Sequence, residues 1–428
     1  MQYKTQLNTD KIIDLLKISI ESWTKLIQSF CFERIRKIRT IDIFEFVLQL
    51  AKNDSEGGQA ILSTMYLRKN VKEEDICTQS SMSEARDKVI INIWKCILND
   101  ISCELRKQIK TRRYFAIDGS VLVLPNKDFG GNFKKSNGSY VPHAYASMLY
   151  DIDYGFPVDV VLSDKLNERS AAIKHMDYLQ EGDVVVMDRG YYSKDLFKTF
   201  TEKGIHVVFR MKSNTSKSEW NSNLDDILSK KDGIDCRFVK YTTGSNNYMI
   251  LTSLKDKNID SHEFIKTLYF KRWSIETAYG YVKENCSLSS FHAQTIRHLE
   301  EEFYANFLLF SISRLLEYHS INYSSYEVVG GPFNRNVLVN NYVRGKHSLK
   351  VNFKQCISLV NHYLDSILSQ NIHNTFNKLK SPIMKKLSPI RENRHFKRVN
   401  ISPREKWKHK RNLKNNTNIN PVIAENIM

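Results

Sequence analysis

The chain has no paired cysteines to work with. Cys31, Cys77, Cys96, Cys103, Cys236, Cys286 and Cys356 are odd in number and scattered, and no two of them form a C-x-x-C pair. Neither a zinc site nor a disulfide framework follows from that spacing, and reduced thiols are expected. Long apolar runs are missing too. Nothing approaches the ~18 residues of a membrane span, and the opening MQYKTQLNTD lacks the charged start and apolar core of a secretory signal. The expectation is a cytoplasmic protein with no membrane partner. Acidic charge is also short, with 47 Asp and Glu against 64 Lys and Arg, a net +17. Such a surplus favours a polyanionic partner, because lysine and arginine gain affinity for phosphates by releasing condensed counterions. What is present is ample core material, 41% hydrophobic and 11% aromatic residues over 428 positions, enough for two or three domains.

The first ~108 residues read as helical. DKIIDLLKISIESWTKLIQSF and TIDIFEFVLQLAKND carry apolar residues at helical spacing, and a third helix is expected over SSMSEARDKVIINIWKCILNDISCELRKQ. From Arg113 the texture turns to strands: YFAIDGSVLVLP, YVPHAYASMLYD and GFPVDVVLSD, then a helical NERSAAIKHMDYLQ and the short apolar run GDVVVMDRGY. Runs of that last kind fit central strands covered on both faces. Helix SKDLFKTFTEKG and strand IHVVFRMK complete a β-β-β-α-β-α-β order, an α/β fold with a mixed sheet. A polar stretch follows, in which DCRFVKYTT and NYMILTSL read as a hairpin joined by GSNN, an inserted β subdomain. TIRHLEEEFYANFLLFSISRLLEYH then reads as a core helix. Between Lys378 and Lys414, fourteen Lys and Arg stand against two acids, so +12 of the total charge sits there, punctuated by Pro382, Pro389 and Pro403. That composition suggests an extended basic arm.

Two acids end apolar strands: Asp118, followed by Gly119, and Asp188, followed by RGY. A third, Glu276, lies in YFKRWSIETAYGYVK, read as one helix from Tyr269 to Lys283. At 100° per residue, Arg272, Glu276 and Lys283 fall within about 60° of Tyr269, so a polar stripe stands where an apolar one belongs. Carboxylates gathered in one place repel unless a cation neutralises them, and oxygen donors of this kind suit Mg²⁺ or Mn²⁺. Two such ions ~3.5–4 Å apart can activate an attacking hydroxyl and stabilise the leaving oxygen of a phosphodiester. Arg272 and Lys283 beside Glu276 then suit backbone phosphates, and the Tyr269 hydroxyl can donate to one.

These residues resemble a known family. YFKRWSIETAYGYVK matches Y-x2-R-x3-E-x6-K, the helix motif of the bacterial insertion-sequence DDE transposases of the insertion sequence four family. AIDGS resembles that family's first-aspartate strand and VVMDRGYYS its second, and SMSEARDKV and SSFHAQTIRHLEEEFYANFLL resemble its flanking stretches. The resemblance spans roughly residues 75–315. It implies a ribonuclease H-like core with a β insertion before the final acid, Asp118, Asp188 and Glu276 as catalytic metal ligands, two Mg²⁺ or Mn²⁺ ions, and Tyr269, Arg272, Lys283 and Arg189 as DNA contacts. Members cut DNA at terminal inverted repeats and join the 3′ ends to target DNA as synaptic homodimers, which implies a nucleoid-associated protein. Some stack a flipped base on a tryptophan of the insertion; Trp220 is the tryptophan of that stretch here. The expected layout is a helical, DNA-binding domain at 1–108, catalytic core at 109–212, inserted β subdomain at 213–258, core completed at 259–330, and a C-terminal region at 331–428 with the basic arm. A catalytically silent DNA-binding derivative or inhibitor, and a metal-dependent nuclease that never joins strands, share these core residues and are the competing readings.

Overall fold

In the computed structural model, described residues run from 7 to 390, apart from 33–37, 53–56, 90–91, 110, 130, 132, 134–140, 165–166, 244–245, 289, 322–325, 330–336, 345–346 and 369–370. Residues 391–428, which hold most of the expected basic arm, lie outside that range.

Five helices come first: α1 (Thr9–Cys31), α2 (Thr40–Lys52), α3 (Gly58–Arg68), α4 (Gln79–Lys88) and α5 (Ile93–Gln108). Asn8, Thr78 and Asn92 cap α1, α4 and α5 by accepting the N–H of Lys11, Ser81 and Lys95, the role short polar side chains fill best. The third helix expected from the sequence is therefore two, because Thr78 and Asn92 each start one.

The strands follow as β1 (Tyr114–Val123), β2 (His143–Asp151) and β3 (Pro157–Ser163), then α6 (Glu168–Lys174), β4 (Val184–Met187), α7 (Lys194–Glu202) and β5 (His206–Arg210). That is the β-β-β-α-β-α-β order read from the sequence. After them come α8 (Lys217–Asn221), β6 (Asp226–Lys231), β7 (Ile234–Thr243) and β8 (Asn246–Thr252). All eight strands make one sheet, ordered β3-β2-β1-β4-β5-β8-β7-β6. β1 to β3 form an antiparallel meander, while β4 and β5 run parallel to β1. This is the ribonuclease H-like arrangement. The expected hairpin is β7–β8, and it is not free-standing: β8 pairs antiparallel with β5, so the insertion prolongs the core sheet.

Both faces of the centre are covered. Ala116, Val184 and Val186 point into one apolar cluster, and Phe115, Ile117, Val185 and Met187 into another on the opposite face, as the strand period of two requires. The chain continues through α9 (His262–Lys271), α10 (Trp273–Asn285) and α11 (Ile296–Ser320). α11 is buried nearly all round and packs on α1, α2 and α5, which is why it reads as apolar on every side. Beyond it are β9 (Tyr326–Val329), β10 (Val337–Arg344), β11 (His347–Lys350), α12 (Phe353–His362), α13 (Leu364–Leu368), α14 (Ile372–Lys385) and β12 (Ser388–Pro389). The four late strands form a second sheet, ordered β12-β11-β10-β9.

Two expectations need correction. Tyr269 to Lys283 is not one helix: α9 ends at Lys271 and α10 starts at Trp273. Arg272 N–H reaches the carbonyl of Tyr269 and Ile275 N–H that of Arg272, i→i−3 bonds that tighten the joint while Arg272 keeps helical angles (φ −52°, ψ −33°). And the first part of the basic stretch is not extended, because Thr375, Phe376, Leu379 and Ile383 give α14 a buried face that packs on α11. No helix among the described residues is long and apolar enough to cross a membrane.

The motif SMSEARDKV joins this framework through one arginine. Arg86 of α4 is buried, with Nε 2.8 Å from Glu301 Oε2 and Nη2 3.5 Å from Glu302 Oε1 on α11. Burial nevertheless pushes the Glu301 carboxyl up to about 7. Arg86→Met strands the buried Glu301, so it is expected to cost about 3–5 kcal/mol, read as a fall in the urea midpoint; an unchanged midpoint would show that the pair holds nothing together.

Candidate active site

Parallel register sets the first two acids side by side. Ile117 of β1 pairs with Met187 of β4, and Met187 with Phe209 of β5. The next residues are Asp118, midway along β1 and not at its end as the sequence suggested, Asp188, just past β4, and Arg210, the last of β5, so three charged side chains follow in a row beside the carboxyl ends of β4 and β5, where ligands of α/β sheets bind. Arg210 Nη1 is 3.9 Å from Asp188 Oδ1.

α9 and α10 bring the remaining groups. Arg272, 4% exposed, donates from Nη1 to Asp118 Oδ2 at 2.9 Å and from Nη2 to Glu276 Oε1 at 2.8 Å. Tyr269 donates its hydroxyl to Asp188 Oδ1 at 3.0 Å. Tyr279 Oη lies 3.2 Å from the Asp118 carbonyl and 3.1 Å from that of Ala146, which seats α10 on β1 and β2. Lys283 Nζ donates to the Val121 carbonyl at 3.1 Å. Asp118, Asp188, Glu276, Tyr269 and Arg272 are thus brought into one network, with Lys283 farther along β1 and Arg189 exposed on the turn after Asp188. Tyr269 and Arg272 face the acids in this network.

The electrostatics separate the two aspartates. Burial pushes the Asp118 carboxyl up to about 6, aided by the charges of Glu276 and Asp188 and opposed by Arg272 and the Gly119 N–H. Asp188 also feels burial, but the Arg189 N–H, Arg272, Tyr269 and Arg210 outweigh it and hold its carboxyl below the usual range. Burial drives the Tyr269 hydroxyl up to about 12. Arg272 stays charged: burial works against it, and Tyr269 and the three acids prevail.

The glycines of both motifs have steric reasons. A Cβ on Gly119 would lie 1.7 Å from Tyr145 Oη, and that hydroxyl sits 3.3 Å from Tyr191 Oη, so Tyr145 of β2 links the glycine of AIDGS to the tyrosine of DRGY. A Cβ on Gly190 would meet Glu168 Oε2 at 2.8 Å.

The aspartates open onto a cleft of about 720 Å³, whose walls include Arg189, Arg210, Lys212 and Trp220. Trp220 donates its indole N–H to the Lys212 carbonyl at 3.2 Å. Glu168 faces the same space. Neither Glu168 nor Arg210 was singled out from the sequence. Register alone could have found Arg210, one residue past the strand position that pairs with Met187. A larger cavity of about 800 Å³ lies among α1 to α3 and α13, lined by Lys17, Arg39 and Glu45, away from the acids.

A divalent cation is a chemical match for this donor set: carboxylates only, one of them pushed up by burial and by two neighbouring acids. Among the described residues no three Asp, Glu, His or Cys side chains stand grouped to hold an ion; Arg272 is what holds Asp118 and Glu276 together.

Residues 109–312 match the transposase DDE domain family. A protein of Synechocystis sp. that carries the name of a transposase for insertion sequence element IS4SA is 24% identical over 288 residues, covering 64% of this chain and 82% of that one. A solved structure, the piggyBac transposase synaptic complex with hairpin DNA, covers 87% of this chain and 82% of its own at 10% identity and a TM-score of 0.44, a likeness too loose to add to the topology above. The strand order and the family match define a ribonuclease H-like transposase domain. Over residues 109–312, just under half of its length, the chain is similar to insertion-sequence DDE transposases.

The Asp118 shift carries a sign. A folded value of about 6 against an ordinary 3.8 means that the protonated carboxyl favours the fold, a contribution complete below about pH 4 and lost as pH rises through 6. Asp118→Asn in EDTA is therefore expected to exceed the native chain in stability by about 2–3 kcal/mol above pH 7 and to match it near pH 4. Melting curves across that range check it, and coincident curves at pH 7.5 would refute it.

Proposed function

We propose that this chain is a transposase that cuts DNA at the terminal inverted repeats of an insertion sequence and transfers the freed 3′ ends into target DNA. The observation that carries the reading is the placement of Asp118 on β1 beside Asp188 at the end of the adjacent β4, with Glu276 tied to Asp118 through Arg272, over a cleft walled by Arg189, Arg210 and Lys212. Asp118, Asp188 and Glu276 would hold Mg²⁺ or Mn²⁺, two ions in our reading, and such ions supply activation of an attacking oxygen and stabilisation of a leaving one.

The chain's own residues do the rest. Arg272 orients two carboxylates at once, and Tyr269 fixes the rotamer of Asp188. Arg189, Arg210 and Lys212 offer phosphate contacts along the cleft, with Lys283 beyond it. Trp220, on the cleft wall, suits stacking with an unpaired base. In the first step a water oxygen bonds to phosphorus and the P–O3′ bond breaks, leaving a 3′-hydroxyl. That hydroxyl then attacks a target phosphodiester, whose own P–O3′ bond breaks in turn. We read the helical residues 1–108 as a DNA-binding domain, residues 213–258 as the inserted subdomain and the acting form as a synaptic homodimer.

The test is to incubate the full chain with Mg²⁺, a duplex of the inverted repeat flanking its gene, and a supercoiled plasmid. Nicked repeat ends joined to plasmid are expected. Cutting without joining would leave a nuclease, and binding without cutting a silent DNA-binding derivative. The charge of the last segment makes a second prediction. Residues 391–428 carry ten Lys and Arg against three acids, a net +7. Truncation after Ile390 is expected to weaken repeat binding and to flatten its log–log salt slope by roughly 0.9 for each phosphate that segment neutralises; an unchanged slope would assign the segment to solubility.

A further inference from the structure

We propose that Tyr248 of the inserted hairpin is a positioning residue: it holds the Arg210 guanidinium at the cleft, where Arg210 meets the DNA phosphate bound beside Asp188. This rests on the transposase reading and deepens it. Sheet register sets up the pairing. Arg210 stands opposite Ile250 of β8, and Tyr248 lies two residues away on the same face, a diagonal that aromatic and long side chains span. The guanidinium carbon is 5.2 Å from the centre of the Tyr248 ring, within the range of a cation–π contact. Tyr248 is itself held. Its ring stacks on that of Tyr241, directly opposite on β7, at 5.3 Å and 19°, and Tyr241 meets Phe270 of α9 edge-on at 5.5 Å. Phe270 follows Tyr269, which bonds Asp188. A row of rings thus runs from α9 through the insertion and back to the sheet end that carries Arg210.

Arg210 is the cation this row leaves ready for an anion. Arg272 has both terminal nitrogens engaged by Asp118 and Glu276. Among the described residues none accepts a hydrogen bond from the Arg210 guanidinium, and its ion-pair partner Asp188 Oδ1 stands at 3.9 Å, beyond hydrogen-bond reach. Its N–H donors therefore remain open to a ligand, on a cleft wall that also includes Tyr248. Phosphate is the acceptor that a guanidinium fork fits, two N–H groups at a time. Without the ring beneath it, the long arginine side chain loses its fixed place, and binding must then freeze its rotamers.

The measurements, on the full-length chain, are the salt dependence of repeat-duplex binding in EDTA and the single-turnover rate of cutting in Mg²⁺ at saturating duplex. R210A is expected to flatten the log–log salt slope by about 0.9, the share of one phosphate, and to slow cutting by at least about tenfold. Y248L is expected to reproduce most of both losses, Y248F to recover them because the ring face remains, and Y248L/R210A to be no worse than R210A alone. Losses that add in the double variant would overturn the inference, because Tyr248 would then act on DNA for itself. A native-like Y248L would overturn it too, as would a Y248L defect that Y248F leaves uncorrected and that comes with earlier melting. A native chain that binds the repeat without cutting would remove the transposase reading alone, with the salt slopes of R210A and Y248L still deciding this inference. A native chain that does not bind would remove both.

Discussion

One guanidinium holds the site in place. Arg272 bonds Asp118 of the sheet with one terminal nitrogen and Glu276 of α10 with the other, and only a planar fork can serve two carboxylates from one buried position. Removing such a charge from water is costly unless opposite charge surrounds it, and here three acids and a tyrosine do so. The arrangement explains why the helix is broken at this residue: the tightened joint turns the Arg272 side chain toward β1 while the next turn keeps Glu276 within reach. Sheet, joint and helix are therefore interlocked through charge, and the apolar packing of α10 on β1 is supplemented by a polar clasp at Tyr279.

Much of this was legible in the sequence because it depends on short-range pattern. The VVVM run of β4 is apolar on both faces and is buried on both, and the acid after it had to fall at a strand end. Glu276, Arg272 and Tyr269 stood out by occupying positions where an amphipathic helix places leucines. Gly119 and Gly190 carried signal too, although their reason, close approach of Tyr145 and of Glu168, is a contact between distant segments that local sequence cannot display.

What escaped the sequence reading depends on tertiary pairing. The union of β8 with β5 is set by edge complementarity between strands about forty residues apart, and period-two alternation looks the same in an isolated hairpin and in a sheet extension. The break at Arg272 arises from two i→i−3 bonds, invisible to a wheel that assumes 100° throughout. α14 was hidden by its lysines and by Pro382, since its burial depends on Phe376 and Ile383 meeting α11. Glu168 read as one more polar residue at a helix start, a place acids favour for the macrodipole alone.

The continuous eight-stranded sheet has a mechanical consequence. A subdomain hinged on flexible linkers could swing aside to admit a duplex, but β8 is laced to β5 by its backbone, and any outward swing must first rupture that ladder. The wall carrying Trp220 and the floor carrying Asp188 thus move as a single plate. Entry falls to the nucleic acid, which must slide in sideways or distort on arrival. Even the distal strand β6 is bound to the plate: its Asp226 accepts from the buried Arg237 guanidinium of β7 at 2.8 and 2.6 Å, so loosening that edge would strand a buried charge.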